Sequence, residues 1–560
     1  MQRDLNSLQH RVFDLAIVGG GISGACLAHD AAQRGLDVAL VERADFGGAT
    51  SAASSKLLHG GIRYLQHARL DKVRQSAYER ACFQRIAPHL TRWVPFAIPT
   101  HAGLLRGRTA LRAAMAVYDL LTHSADRLVS DPAKRTPSGE FYEPHELTAR
   151  VPAIAGRDDL TGAQIVYESH LHSSERMTLA FLKTAVRNGA AVANYVTAQR
   201  VLRTRDRITA LTVCDEETGD TFDVQTRVVA NVTGPWIGSL DTRFETGALR
   251  RPVTAFSKGA HIVTRQIVDR LALALSTGRR TQAMVHRGGR HIFVIPWRGH
   301  SLIGTTDHPY DGDLDQVAAT NRDVDDLLDD VNDALPGAAL TRRDVTYAFA
   351  GLYPLTARQL RPDVYQGSGD FQIVDHSPRG DPGGVVSVLG TKFTTARRLA
   401  ELTTTRLTAR LGRPAGPCRT HDTPLVGGQI PDLTAFTDAA VAHYASRLDR
   451  ATVEHLIHHY GTEIDAVMQS VDRPDAAERL TPARESVVAE VVYAVEHEMA
   501  RRLDDVVFRR TGLGTIGHPG QACLRQCAEL MGRGLSWTTV AIDEEVRRTD
   551  AKLTGVTGGR

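Results

Sequence analysis

The chain has 560 residues, 42% of them hydrophobic and 23% charged, with a formal net charge of +3. A chain of this length buries a large core and divides into roughly two or three domains, and so balanced a charge leaves no electrostatic footprint for nucleic acid. No run approaches the roughly 18 apolar residues of a spanning helix, and the opening MQRDLNSLQHRVFDL has no apolar signal core, so a cytoplasmic protein is expected.

Residues 15–18 are a short apolar run that reads as a strand. Gly19, Gly21 and Gly24 follow as G-x-G-x-x-G, and Ile22, Ala25, Ala28 and Ala32 recur at helical spacing. Residues 38–41 form a second strand, closed by Glu42. In such a unit the first glycine permits the turn, the second lets the backbone approach a pyrophosphate, and the third lets helix and strand pack closely. The helix N-terminus presents N–H groups and partial positive charge to the phosphates. Glu42 is placed to accept hydrogen bonds from a ribose hydroxyl, and its charge disfavours a 2′-phosphate. A dinucleotide site that rejects NADP is the expectation.

Directly downstream runs ATSAASSKLLHGGIRY (49–64). Residues 104–121 (LLRGRTALRAAMAVYDLL) mix Leu, Met, Val and Tyr with Arg106, Arg108 and Arg112. That pattern fits an amphipathic helix on anionic lipid and equally a helix packed on a neighbouring domain. Residues 190–201, 208–213 and 227–232 look like strands leading into the break NVTGPW (231–236). Residues 251–345 are strand-rich, with HIV (261–263), HIFVIPW (291–297) and SLIGTT (301–306) between turn residues. Residues 385–400 give strand, glycine turn and helix.

Proline and glycine in 412–432 mark a linker, and 433–560 are helical by pattern, with Leu503, Val506, Val507 and the stretch 487–495 at helical spacing. His455 and His459 stand at i, i+4, as metal ligands on a helix do. No third ligand accompanies them, so a solvated helix face is expected and no metal is assigned. Cys26, Cys82, Cys214, Cys418, Cys523 and Cys527 include no C-x-x-C, and Cys523 and Cys527 read as packing or surface positions on one helix.

The 49–64 run closely resembles the signature of the FAD-dependent glycerol-3-phosphate dehydrogenases, a branch of the glycine-oxidase-like flavoproteins. The resemblance recurs in the family's order through NVTGPW (231–236), SKGAHIV (257–263), HIFVIPW (291–297), LIGTTD (302–307), GLYPL (351–355), SVLGTKFTTARRLAE (387–401) and VVYAVEHEMARRLDDVVFRRTGLG (491–514). It implies an α/β fold with a two-dinucleotide-binding-type FAD domain, a mixed β-sheet substrate domain and a C-terminal all-α domain. The FAD domain is expected to be discontinuous over 10–95, 165–250 and 346–411. The substrate or cap domain would take 96–164 and 251–345, the linker 412–432, and the helical domain 433–560.

The resemblance also implies site residues. FAD contacts fall on Gly19, Gly21, Gly24, Glu42, Arg43, Thr50, Ser54, Ser55, Gly234, Gly390, Thr391, Lys392, Phe393 and Thr394. Lys56 would run past the flavin with Ser54 and Ser55. His261, Arg63 and Lys392 are the expected catalytic residues: His261 as general base, since imidazole titrates near neutrality, Arg63 reaching the substrate, and Lys392 as a cation beside flavin or substrate. Arg63, Tyr64, His261, Tyr353 and Arg358 would bind substrate, with His59 as a neighbour and Thr305, Thr306 and Asp307 in support. The implied partners are a polyol phosphate and a quinone or other electron acceptor, with contact to the inner face of a membrane through 104–121 and compatibility with a homodimer.

Some positions depart from the family pattern. Relatives read Gly-apolar-Arg-Pro-Leu where this chain has Gly351-Leu352-Tyr353-Pro354-Leu355, and they carry arginine where Gly369 precedes Asp370-Phe371. Arginine grips phosphate through a planar fork that tyrosine and glycine lack. Either Arg358 or Arg361 compensates, or the flavin chemistry acts on another polyol, polyol phosphate or hydroxy acid. A flavin-binding protein without turnover is the remaining reading. The stretch YESHLHSSER (167–176) also departs from the family's acids while keeping Arg176.

Overall fold

In the strand Val12–Val18 every residue after Val12 is buried, as in a parallel strand covered on both faces. This computed structural model describes residues 1–103, 107–205, 207–244, 255–276, 291–355, 371–376, 384–390, 392–469 and 474–555. Val12–Val18 lies between Val38–Val41 and Thr221–Asn231, parallel to both. The sheet continues through Gly384–Leu389 to Gln372–Asp375 on one side and ends at Ala191–Ala193 on the other. Val196–Thr204 and Arg207–Asp215 extend it as an antiparallel hairpin. Helices Ile22–Gln33, Ser174–Arg187 and Ala396–Leu411 pack together, and their apolar residues close one core with Leu15, Ile17, Val38 and Leu40.

A second sheet runs in the order His308–Tyr310, Ala255–Arg265, His300–Gly304, His291–Trp297, Ala272–Ser276, Thr91–His101, Leu160–Leu171, Leu57–Leu58. Val345–Leu355 pairs antiparallel with Ala255–Arg265. This pairing moves three expected boundaries. Residues 91–95, 165–171 and 346–355 were expected with the FAD domain, but Thr91–His101 pairs with Leu160–Leu171 over their whole length and Val345–Leu355 pairs within the second sheet. Apolar alternation marks a strand without naming its partner, so a change of sheet leaves no trace in local pattern.

Helix Arg108–Asp126 turns Leu111, Met115, Tyr118, Leu121 and Ala125 inward, against helix Leu70–Ile86 and strand Leu160–Leu171. On its other side Val117 and Leu120 stay 45% and 80% exposed. Among the described residues no helix is long and apolar enough to cross a membrane.

Helices Leu433–Tyr444 and Arg450–Tyr460 begin at side-chain caps: Asp432 accepts from Ala435 N–H (2.9 Å) and Asp449 from Thr452 N–H (2.8 Å), satisfying donors the helix leaves open. Cys523 and Cys527 are buried in the core of this domain. His455 and His459 contradict the solvated-face expectation. His459 is buried, and its Nε2 meets Arg298 Nη2 at 3.1 Å. His455 Nε2 lies 3.1 Å from Glu490. Helix Arg450–Tyr460 presents this face to the rest of the protein, and the spacing alone could not show which face is covered. No cluster of three or more metal-ligating side chains occurs among the described residues.

Candidate functional site

The turn after Val12–Val18 has no room for side chains. Gly19 has φ +114°, and a Cβ there would lie 2.7 Å from the Val232 carbonyl oxygen. One on Gly24 would fall 1.9 Å from Gly19 O, and one on Gly20 would fall 2.6 Å from the Phe46 ring. Helix Ile22–Gln33 starts at Gly21 with no capping side chain of its own, and Ser51 Oγ accepts from Ile22 N–H at 3.0 Å. Glu42 folds back beneath the turn, accepting from Gly20 N–H (2.7 Å) and Ala44 N–H (2.9 Å). Burial raises its pKa. Each carboxylate oxygen keeps a further lone-pair site for a ribose hydroxyl. A bare backbone cradle, a helix N-terminus and a ribose acid fit the pyrophosphate half of FAD. Val232 and Thr233, just before Gly234, close over Gly19.

Residues 49–55 lie against the second sheet at a glycine. A Cβ on Gly351 would come 2.9 Å from Ala53 O, and Thr50 Oγ1 donates to Leu352 O at 3.1 Å. Ser54 Oγ accepts from Lys56 N–H (3.1 Å) within its own turn. Ser55 Oγ is 2.8 Å from His261 Nε2. His261 is buried, stacks on Phe349 with ring centroids 5.1 Å apart, and has no hydrogen-bond partner at Nδ1. Burial, aided by the Lys56 charge, lowers its pKa to about 3, so the ring is neutral.

The 59–64 segment meets the loop after Gly384–Leu389. His59 N–H donates to Thr394 Oγ1 at 3.1 Å, and Lys392 Nζ donates to the Tyr64 hydroxyl. Phe393 packs on Phe83. A Cβ on Gly390 would fall 2.5 Å from Ser23 Oγ, so this loop touches the start of the nucleotide helix. Glu168 supports the segment from below, accepting from Gly60 N–H (2.7 Å) and lying 2.8 Å from His59 Nδ1. Arg80 reaches Glu168 at 3.5 Å and donates to Tyr118 OH at 3.2 Å. Burial works to raise the Glu168 carboxyl, but His59 and Arg80 outweigh it and hold it below its usual value.

Three features go beyond the expectations from sequence. The buried ammonium of Lys56 pairs with Glu175 (2.8 Å) and donates to Ser174 Oγ (3.1 Å). Arg43 is drawn to Asp315 and lies over the Trp236 ring at 4.5 Å, while Trp236 Nε1 donates to Asp315 at 2.8 Å. The 167–176 stretch does supply working acids, Glu168 and Glu175. An acid on a strand as buried as Leu160–Leu171 demands a partner, and that signal was present in the sequence. Ser51 had no such signal, because a serine in a serine-rich loop looks like its neighbours. Thr306 Oγ1 accepts from Ala260 N–H (2.8 Å) and Asp307 accepts from Ser257 Oγ. Tyr353 is half-buried opposite Ser257, on the sheet face that carries His261, about 14 Å along the strand. The side chain of Arg63, together with Thr391, Arg358, Arg361, Gly369 and Asp370, lies outside the described residues.

The sequence profile described as FAD dependent oxidoreductase matches residues 14–406, and that of the C-terminal domain of alpha-glycerophosphate oxidase matches 418–541. A protein of Synechocystis sp. named glycerol-3-phosphate dehydrogenase is 32% identical over 98% of this chain and 97% of its own length. The aerobic glycerol-3-phosphate dehydrogenase of Bacillus subtilis is 29% identical over 91% of this chain and 89% of its own. The crystal structure of glycerol-3-phosphate dehydrogenase from Bacillus halodurans complexed with FAD superposes with a TM-score of 0.77 at 25% identity, covering 99% of this chain and 98% of that one.

Proposed function

The chain belongs to the FAD-dependent oxidoreductases, in their glycerol-3-phosphate dehydrogenase branch, and from that premise we propose that it oxidises the secondary alcohol of glycerol 3-phosphate to dihydroxyacetone phosphate. The reading is supported by two contacts: Ser55 on His261, and Tyr64 on Lys392. The first ties the nucleotide loop to the second sheet, and the second ties the 59–64 segment to the late glycine loop, whose Gly390 lies against Ser23 of the nucleotide helix.

FAD, when bound, supplies the two-electron acceptor. His261 takes the alcohol proton at a ring nitrogen. Its contact with Ser55 Oγ fixes the ring, and Gly304, opposite it on the neighbouring strand, leaves the space the ring fills. A pKa of about 3 makes a weak base. A phosphate monoester brings between about one and two negative charges into the pocket, and these favour the imidazolium and lift that value toward the working range. Lys392 places a cation beside Tyr64, where it opposes negative charge developing on substrate or cofactor. Arg63 is assigned to the substrate. A quinone is the assigned acceptor, reached at the cytoplasmic face of a membrane through the Arg108–Asp126 helix, whose Val117 and Leu120 stand exposed.

A second reading rests on Tyr353. It occupies the place of an arginine and offers one hydroxyl in place of a fork, which suits a polyol or hydroxy acid better than a phosphate. Anaerobic bleaching of the flavin band of the purified protein separates the two. Glycerol 3-phosphate at sub-millimolar concentration is expected to bleach it rapidly. Bleaching only by unphosphorylated polyols or hydroxy acids would transfer the assignment to the second reading.

A further inference from the structure

Between Glu42 and Ser51, the two residues that frame the nucleotide cradle, the chain is held by the C-terminal domain. Asp45 is 3% exposed. It accepts from Arg509 Nε (2.5 Å), from Arg510 Nη1 (2.5 Å) and Nη2 (2.9 Å), and from Asn194 Nδ2 (3.0 Å). Burial works to raise the Asp45 carboxyl, and the two arginines override it and hold it below its usual value. The next residue, Phe46, is fully buried and fills the space beneath Gly20. Gly47 N–H donates to Gly20 O at 3.0 Å. Gly48 then faces the Arg509 side chain, whose Cδ would lie 3.8 Å from a Cβ placed there.

Arg509 and Arg510 end the helical turn Asp505–Arg510. That turn is itself fixed: Arg509 also reaches Asp505 (2.5 Å), and Asp505 accepts from Tyr195 OH (2.6 Å) and from Arg501 N–H (2.7 Å). A buried ionic network therefore runs from the C-terminal domain to Asp45, and two residues on, the Gly47 N–H binds the glycine turn. Charge pairs this dry are geometrically strict, because a misplaced carboxylate is left unpaired at high cost. The Asp45 carboxylate bonds to Arg509, Arg510 and Asn194 and not to the cradle groups Gly20, Ala44 and Ser51, yet it fixes the chain that runs between them.

We propose that Asp45 and Arg509 are positioning residues through which docking of the C-terminal domain sets the affinity of the cradle for FAD. This rests on the assignment of that cradle to FAD. By linkage the coupling is reciprocal: FAD stabilises the docked turn as much as the docked turn strengthens FAD binding.

Arg509→Gln is the test, because Arg510 still pairs with Asp45 from both of its terminal nitrogens and Asp505 keeps Tyr195 and the Arg501 amide. The expected result is a Kd for FAD raised about tenfold or more, measured by quenching of flavin fluorescence on apoprotein, with kcat and KM for glycerol 3-phosphate returning to wild-type values at saturating FAD. Arg501→Gln is the control: its side chain pairs across the same interface with Glu217 at 2.8 Å, away from the cradle, and it should leave the FAD Kd unchanged. An unchanged Kd in Arg509→Gln, or an equal rise in both variants, overturns the proposal. A wild-type protein that binds no FAD would instead overturn the cofactor assignment. Should Arg509→Gln not fold, hydrogen exchange on the wild type decides: FAD must slow exchange in 505–511 together with 43–51, and slowing confined to 43–51 rejects the coupling.

Discussion

A Cβ on Gly304 would stand 2.2 Å from His261 Cδ2, far inside contact distance. The two residues are direct cross-strand partners, so the backbone has little freedom to relieve the clash and the imidazole must turn away from Ser55. Gly304→Ala is therefore expected to lower kcat while leaving FAD bound, because a misplaced base costs rate without touching the cradle. His261→Asn keeps a polar group but removes the proton acceptor, and kcat/KM for glycerol 3-phosphate should fall by about 10²–10⁴. Because kcat/KM reports the free enzyme and His261 there titrates at about 3, the profile should show no limb near pH 6–7 that disappears in His261→Asn. Such a limb would show that His261 is not buried as drawn. His261 was legible in the sequence because SKGAHIV is a family motif on a recognisable strand. The partners of Lys56 and Arg43 were not legible in the sequence. A motif places a backbone, but the direction of a long cation depends on acids elsewhere in the chain, here Glu175 and Asp315.

At the scale of elements, what local spacing dictates was legible: the strand, glycine turn, helix and acid of 15–42, and the helical pattern of the C-terminal part. Which sheet a strand joins was not, since Thr91–His101 and Val345–Leu355 alternate in the same way whatever they pair with. Helix Arg108–Asp126 shows how two readings of one pattern coexist. Leu111, Met115, Tyr118 and Leu121 pack inward, while Val117 and Leu120 lie open to solvent on the other side. If that open side meets lipid, Leu120→Asp places a charge where an apolar residue would insert, and the buried stripe is untouched. The expected outcome is loss of co-sedimentation with anionic vesicles and an unchanged melting temperature. Equal sedimentation of Leu120→Asp and wild type would leave the helix as a packing element only. The cradle has its own element-level test: alanine at Gly24 puts a methyl 1.9 Å from Gly19 O, so the strand and helix must separate. Gly24→Ala should be purified largely without flavin, read as the ratio of flavin to protein absorbance.

Buried histidines pack where the C-terminal helices meet the rest of the protein, and this makes stability depend on pH. His172 and His458 stack with centroids 3.7 Å apart, His458 Nδ1 lies 3.0 Å from His89 O, and the tilted ring of His459 lies 4.1 Å from that of His455. Burial is the first cause that lowers His89, His172 and His459 well below 6.5 and His458 to about 4. Lys134, Arg92, Arg176 and Arg298 surround them and disfavour a further positive charge. Folded, these rings stay neutral down to their lowered pKa values, whereas in the unfolded chain they take protons once the pH falls below 6.5. The unfolded state then binds more protons, so stability is fully present above pH 6.5 and is lost as the pH falls below it. Each such histidine contributes up to about 1.4 kcal/mol per pH unit. Between pH 6.5 and 5, His458 alone thus accounts for at most about 2 kcal/mol. The melting temperature should fall steeply from about pH 7 to 5, and His458→Gln, which cannot take up a proton in the unfolded chain, should make that fall shallower. A melting temperature independent of pH over this range, or an identical slope in His458→Gln, would contradict the argument. Because the same interface carries Arg509 to Asp45 and the nucleotide cradle, loosening it with acid should also release the cofactor. Free-flavin fluorescence is therefore expected to rise over the same pH interval in wild type, and at lower pH in His458→Gln.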